Sequence, residues 1–360
     1  MVPSEEMLEV VRRTFIYRNN LDVLGTERVA APALQSFSQL LQDIPLPEGR
    51  LEALRQLTQL YPDEAHFWAH LGRFYASQLR NYTQALGCVE QAISLTNRKA
   101  HVLHHMKGMV IRYQINSLIE EKSNLQDVVS LAKIASSSFE EARRLRPDDE
   151  HGYISEVQLL AKLLDYAGTK HSNGVLSYLS TPGIDPFLLD SLERAEDLLE
   201  QVRRNREGQG EPSPLEVDCR AKLDALYGRH EQALQTWDSL LSRKDSYHPP
   251  LRRQIIWTHL ARHERSWNRL PGGALQRITS LLEENLQEEP SNDKDLRLWV
   301  QAVRWSKYPP SLESVIERVS YWKANSGTLD SVYYLYLFYV LSALEGSAQA
   351  KDNAEQYIEE

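Results

Sequence analysis

Five histidines hold the spacing in this chain that most resembles chemistry. His101, His104 and His105 fall within HVLHHMKGMVIRY, and His66 and His70 stand on the equivalent helix one repeat earlier. Residues at i and i+4 share a helical face, and imidazoles so placed can hold zinc. Yet no carboxylate or cysteine completes either cluster, and no H-E-x-x-H pattern occurs, so no metal is expected. No G-x-S-x-G turn, Cys–His nucleophile signature or nucleotide fingerprint is present, so neither a catalytic residue nor a cofactor is assigned. The acid pairs Glu120–Glu121, Glu140–Glu141 and Glu283–Glu284 lie on polar helix faces and read as solvated.

The elements that position these residues are helices. The 360-residue chain is 42% hydrophobic and 25% charged, the balance of a folded globular protein. Its net charge of -9 argues against a general nucleic-acid binder. Two cysteines, Cys88 and Cys219, sit far apart in apolar helical patterns, which excludes a disulfide framework and fits a reducing cytoplasm. MVPSEEMLEVVRR is acidic before any apolar run, so it is not a secretory signal. The most apolar stretch, Val332 to Leu344, is too short to span a bilayer and reads as a buried helix. Only RRTFIYR, Arg12 to Arg18, alternates as a strand would.

Successive helices with short polar breaks call for a test of internal repetition. In YPDEAHFWAHLGRFY, Trp68, Leu71, Gly72 and Tyr75 reproduce the W-x2-L-G-x2-Y pattern of the first helix of a tetratricopeptide repeat; Ala85, Val89 and Ala92 match its second. Gly72 lets the partner helix approach closely, and the alanines keep the crossing tight. The frame returns at Phe139, Ala142 and Pro147. The surplus residues Ile115 to Ser136 predict two lengthened helices in the second repeat. The stretch from Ala167 to Pro186 predicts an insertion emerging from the third. Weaker pairs continue to the end, giving an all-α, right-handed solenoid of about seven helix pairs. Residues 1–31 form an N-terminal segment, 32–206 the N-terminal repeats and 207–360 the degenerate C-terminal ones.

Taking Gly72, Gly108 and Val157 as equivalent positions, the frame assigns a concave, partner-binding groove. Its candidate binding residues are His66 and Arg73 from one repeat, His105, Met109, Arg112 and Tyr113 from the next, and His151 and Lys162 from the third. His104 takes the place of Trp68 and is expected to turn inward. Three cations and three histidines with no acid suit a carboxylate-bearing segment. The opposing reading is that these cations pair with acids on neighbouring second helices. The tryptophans and tyrosines of the C-terminal half read mostly as core, with a minority as partner anchors.

HFWAHLGRFYASQLRNYTQALGCVEQAI and HVLHHMKGMVIRY further resemble the C-terminal tetratricopeptide region of STAND-type NTPases. That group includes bacterial antiphage Avs-like sensors and, more distantly, the animal sterile-alpha-motif-domain antiviral proteins. The likeness covers about Arg50 to Ala161 well and the rest loosely. It implies a sensor region that binds a trigger, such as a phage protein, and acts with upstream NTPase and effector domains. This chain has no G-x-x-x-x-G-K-[ST] loop of its own. Residues 1–31 then read as the tail of an upstream domain, and both termini as cuts in a longer protein. The competing reading is a stand-alone scaffold or chaperone-adaptor for a short acidic peptide. Neither a nucleic acid nor a membrane is an expected partner.

Overall fold

The computed structural model describes Ile44 and residues 46–171, 174–206, 210–243 and 248–359, and among them every regular element is helical. The strand expected at Arg12 to Arg18 and the segment 1–31 lie outside the described residues. Sixteen α-helices are described, and they sort into seven consecutive pairs with two extras. Helix α1 (Pro47–Leu60) precedes the first pair, α2 (Ala65–Ser77) and α3 (Tyr82–Leu95). The second pair is α4 (His101–Glu120) and α5 (Leu125–Leu145). In the third, the short α7 (Gly174–Leu179) stands between α6 (Glu150–Gly168) and α8 (Pro186–Asn205).

The remaining pairs are α9 (Pro214–Leu226) with α10 (His230–Leu241), α11 (His248–Arg262) with α12 (Gly272–Glu288), α13 (Asp293–Trp305) with α14 (Leu312–Ser326), and α15 (Leu329–Leu344) with α16 (Ala348–Glu359). This is the tetratricopeptide-type helical solenoid that the frame predicts. The chain divides into two compact units at Cys219 and Arg220.

Local chemistry sets the helix ends. Side chains of Asn81, Asn124, Asp149, Asp185 and Asn292 each accept a backbone N–H of the first turn that follows, satisfying donors with no partner inside the helix. Pro186 opens α8, where its missing N–H costs nothing.

In the first unit, the two repeat glycines do what the pattern asks. A Cβ on Gly72 would lie 2.8 Å from Val89 Cγ2 and 2.9 Å from the Ala85 carbonyl oxygen of α3. One on Gly108 would lie 2.5–2.8 Å from the Phe139 ring of α5. Each glycine therefore marks where the second helix presses on the first. Around these contacts Leu71, Phe74, Ala85, Val89 and Ala92 form one buried core, and Ile111, Ile115, Ala132, Phe139, Leu159 and Leu163 form another.

The surplus of the second repeat is helical, as expected: α4 and α5 are each seven residues longer than α2 and α3. The insertion after α6 does not emerge freely. Helix α7 folds back with Val175 against Gly168, and Tyr178, Leu179 and Ile184 join the core beneath α5. Asp185 fastens the return, accepting from Lys133 Nζ of α5 at 2.9 Å. The buried Glu156 of α6 binds Arg143 of α5 and accepts from Arg194 Nε of α8 at 2.7 Å, so one carboxylate ties three helices together.

In the second unit, Trp237, Trp299 and Trp322 are fully buried, whereas Trp257, Trp305, Tyr321 and Tyr333 are exposed. Glu283 and Glu284 keep partly exposed side chains, as expected, but each is also bonded to a neighbouring helix. Glu283 accepts from Trp299 Nε1 at 2.5 Å and Arg318 Nη1 at 2.7 Å, while Glu284 pairs with Arg252 at 2.9 Å. The reading of Val332 to Leu344 as a buried helix is also corrected. Of α15 only Ser331 and Leu335 are buried; Tyr333 is 56% and Leu344 79% exposed. The described neighbours α14 and α16 cover only part of its surface. No described helix is long and apolar enough to cross a membrane.

Candidate functional site

The first helices α2, α4 and α6 stand side by side in the first unit, each packed on the next. That adjacency brings the fourth residue of each to the same task. Trp68 Nε1 donates to the Pro62 carbonyl at 2.7 Å, His104 Nε2 to the Arg98 carbonyl at 3.2 Å, and Tyr153 Oη to the Pro147 carbonyl at 3.0 Å. Each spans six residues and clips the incoming turn to its helix. His104 is thus a half-exposed clip rather than an inward-turned core residue.

His105, one residue on, faces α6. Its Nε2 lies 2.8 Å from Ser155 Oγ, and its ring is 5.6 Å from Phe139 and 6.1 Å from His151. Burial, helped by the charges of His151 and Arg112, lowers its pKa from 6.5 to about 4, so it is neutral at pH 7. His151 Nδ1 is 2.7 Å from Asp149 Oδ1, whose hydrogen bond raises the His151 pKa from its ordinary value. Burial pushes the Asp149 carboxyl up, but bonds from His101 and His151 outweigh it and hold the group well below the usual carboxylate range. His101 stands 3.4 Å from the other Asp149 oxygen. Asp149 therefore gathers two histidines of adjacent helices, and among the described residues no metal-ligand cluster forms.

Two turns along α4, Arg112 Nη1 donates to Gln158 Oε1 at 2.6 Å and to the Ser155 carbonyl at 3.4 Å, both on α6. Burial lowers its pKa somewhat, but a guanidinium remains charged. Its bonded partners among the described residues are neutral. Arg73 of α2 and Lys162 of α6 are exposed, and neither forms an ion pair with a described carboxylate. Several other cations of these three repeats do pair: Arg80 with Glu120, Lys107 with Glu90, Arg143 with Glu156 and Arg144 with Glu141. The reading in which the groove cations pair with acids of the second helices therefore does not hold for Arg73, Arg112 and Lys162.

Of the remaining sequence-assigned residues, Met109 is half-buried against the α5 core and Tyr113 is 36% exposed at the rim. His66 is buried against Phe67 and His70, and burial lowers its pKa to about 4, so it faces packing rather than a partner. The structure thus brings His105, Arg112 and His151 together, places Arg73 and Lys162 at exposed positions of α2 and α6, and buries His66. Ser155, which joins His105 to Arg112, escapes the repeat frame. Its signal is a polar pair, Ser155–Glu156, inside the apolar run YISEVQLL. A separate cleft of about 610 Å³ between α5, α6 and α8 has walls of mixed charge, including Glu140, Asp190, Asp197 and Arg194, and contains none of these residues.

No family model and no curated protein matches this sequence. Among solved structures, it is similar to a thermophilic tetratricopeptide-repeat protein of Thermus thermophilus, with 17% identity over 67% of this chain and 98% of that one, at a TM-score of 0.45. It is similar to a tetratricopeptide repeat protein of Parabacteroides merdae, with 11% identity over 98% and 99% of the two chains and the same TM-score. A third, YrrB, described as a tetratricopeptide-repeat protein with an unusual peptide-binding site, has 16% identity over 71% of this chain and 99% of that one, with a TM-score of 0.30. These overlays are loose, and the repeat assignment stands on the chain's own helix pairs and glycine contacts.

Proposed function

We propose that this chain is a protein-recognition module whose α2–α4–α6 face receives an acidic segment of a partner protein. The supporting observation is that Arg73, Arg112 and Lys162, all at groove positions of the repeat frame, have no carboxylate partner among the described residues, whereas several cations on the other faces of these repeats do. A guanidinium fixed by Gln158 and Ser155 is pre-oriented, so a carboxylate that meets it gains a charge-assisted hydrogen bond at low ordering cost. The test is binding of a labelled glutamate-rich peptide to the wild type and to the single reversals R73E, R112E and K162E, of which R73E and K162E lie at exposed sites where the fold is spared. Loss of binding with unchanged helicity is the expected result. Unchanged binding by all three variants would sink the proposal.

The finer reading is that the bound partner is a trigger and the chain the sensor region of a STAND-type NTPase in antiviral defence, with a phage protein as trigger. Its support is the resemblance at HFWAHLGRFYASQLRNYTQALGCVEQAI and HVLHHMKGMVIRY. It requires an NTPase encoded ahead of Met1, and reading the upstream coding sequence decides it. The stand-alone scaffold or adaptor, with a cytoplasmic acidic peptide as ligand, uses the same face and needs no such neighbour.

A further inference from the structure

The residues of α15 from Ser331 to Leu344 carry no charge, in a chain of which 25% is charged. The helix is nonetheless not enclosed. With about 3.6 residues per turn, the buried Ser331 and Leu335 mark the side set against the core. Tyr334, stacked on Trp322 of α14 at 6.1 Å, and Tyr339, stacked on Tyr357 of α16 at 5.8 Å, take the two flanks. The remaining side carries Leu329, Tyr333, Leu337 and Leu341 in an i+4 row, with Leu344 at its end. Leu329 is 78%, Tyr333 56%, Leu341 42% and Leu344 79% exposed.

The 16 residues of α15, at about 1.5 Å each, make this row roughly 24 Å long. The exposed fractions of its four open residues amount to about two and a half whole residues, or roughly 500 Å² at about 200 Å² each. The half-buried Tyr336, Leu337 and Val340 bring the face toward the ~800 Å² that each partner gives to a standard interface. An uncharged face of this size has nothing with which to select a partner by charge. It suits a copy of itself, because i+4 ridges on two helices interdigitate and no like charges are forced together. A twofold axis across the helix sets the Asp330 end of one copy against the Glu345 end of the other. Asp330 is already bonded to Arg297 Nε at 2.6 Å, so these ends do not oppose two free charges.

We infer that α15 pairs with α15 of a second copy of this chain, giving a twofold dimer in which the row from Leu329 to Leu344 is buried. The surface belongs to the second unit and includes none of the residues of the α2–α4–α6 face, so the inference stands apart from acidic-segment binding. Tyr333 becomes an anchor, the task that aromatic side chains take at interface centres. The face is at the small end for a stable contact. Association is therefore expected at micromolar concentration, and protein below about 1 µM shows the row uncovered.

The experiment is sedimentation equilibrium of the full chain from about 0.5 to 100 µM, a range over which a dimer of this strength forms by mass action. The mass is expected to rise from 41.5 kDa toward twice that value. Tyr333→Glu and Leu344→Glu, both at exposed positions, should each raise the midpoint at least about tenfold with unchanged helicity. A second pair of variants reads the direction of the contact. Antiparallel pairing sets Leu329 against Leu344 of the second copy, so Leu329→Glu and Leu344→Lys should associate with each other more tightly than either does with itself. A mass of 41.5 kDa at every concentration would overturn the inference, whether another part of the chain covers the row or nothing does. A dimer whose midpoint moves in neither glutamate variant would put the contact elsewhere and overturn it as well. A mixture no tighter than its two components would overturn the twofold arrangement.

Discussion

At Gly108 the absence of one carbon decides a helix crossing. A Cβ there would lie 2.5–2.8 Å from Phe139, a fully buried ring held between α4 and α5. Gly108→Ala should therefore destabilise by about 1–3 kcal/mol despite the better helix propensity of alanine. The check is the denaturation midpoint, with partial recovery expected when Phe139→Leu is added. The histidines make a second prediction. His105 is neutral when folded because burial sets its pKa near 4, against an ordinary 6.5. Its contribution is complete above pH 6.5. As pH falls from 6.5 to 4 the unfolded chain takes up the proton first, and stability drops by up to about 1.4 kcal/mol per pH unit for this group. His151, with its raised value, acts in the opposite sense: its stabilisation is present at low pH and is lost as pH rises through its folded value. His105→Gln should flatten the wild-type slope between pH 6.5 and 4; identical slopes would refute the assignment. Both glycines were legible in sequence because a missing side chain inside an aromatic frame points directly to a close helix approach. The partners of Arg112 were not, because they lie 43 and 46 residues away and depend on how α4 and α6 slide past each other.

Single elements are held by a few polar contacts. Glu156 is completely buried and binds arginines from α5 and α8. Glu156→Gln would leave Arg143, itself largely buried, without its counter-charge, at a cost of about 3–5 kcal/mol. Loss of stability with retained helix content is the outcome to look for by circular dichroism. Helix α15 poses the reverse case. Its apolar residues are half-exposed, so Tyr333→Ser with Leu344→Ser should lower binding of an apolar dye with little change in melting temperature. A large fall in melting temperature would mean that these side chains pack more fully than their exposure indicates. Sequence exposed the length of α4 and α5, since surplus residues without breakers have nowhere to go but into helix. It misjudged α15 because hydropathy records what a helix prefers and not whether a neighbour exists to cover it. The fold of α7 against α6 was hidden for a similar reason: Gly, Ser and Thr suggest an open loop, while Val175, Tyr178 and Leu179 do the packing.

For the whole molecule, the net charge of -9 opposes the very ligand the local face suits. At low salt the Debye length is about 30 Å, so an acidic peptide meets the protein's overall negative field before it reaches Arg112. Raising salt from about 10 to 150 mM should therefore speed association as well as dissociation, unlike a complementary pair in which association slows. Stopped-flow measurement of the two rates checks this; an association rate that falls with salt would show that the local field dominates. The repeat order was the most legible feature at this scale, because each pair restates the same small pattern. Helices α4 and α5 exceed α2 and α3 by seven residues each, and seven residues rotate a helix to within about 20° of its starting phase. A gain of this size lets a repeat grow taller without turning its far end to a new direction. Gains or losses in matched steps of about seven are thus the quantum by which this solenoid can change the height of one storey and leave the faces of the others aligned.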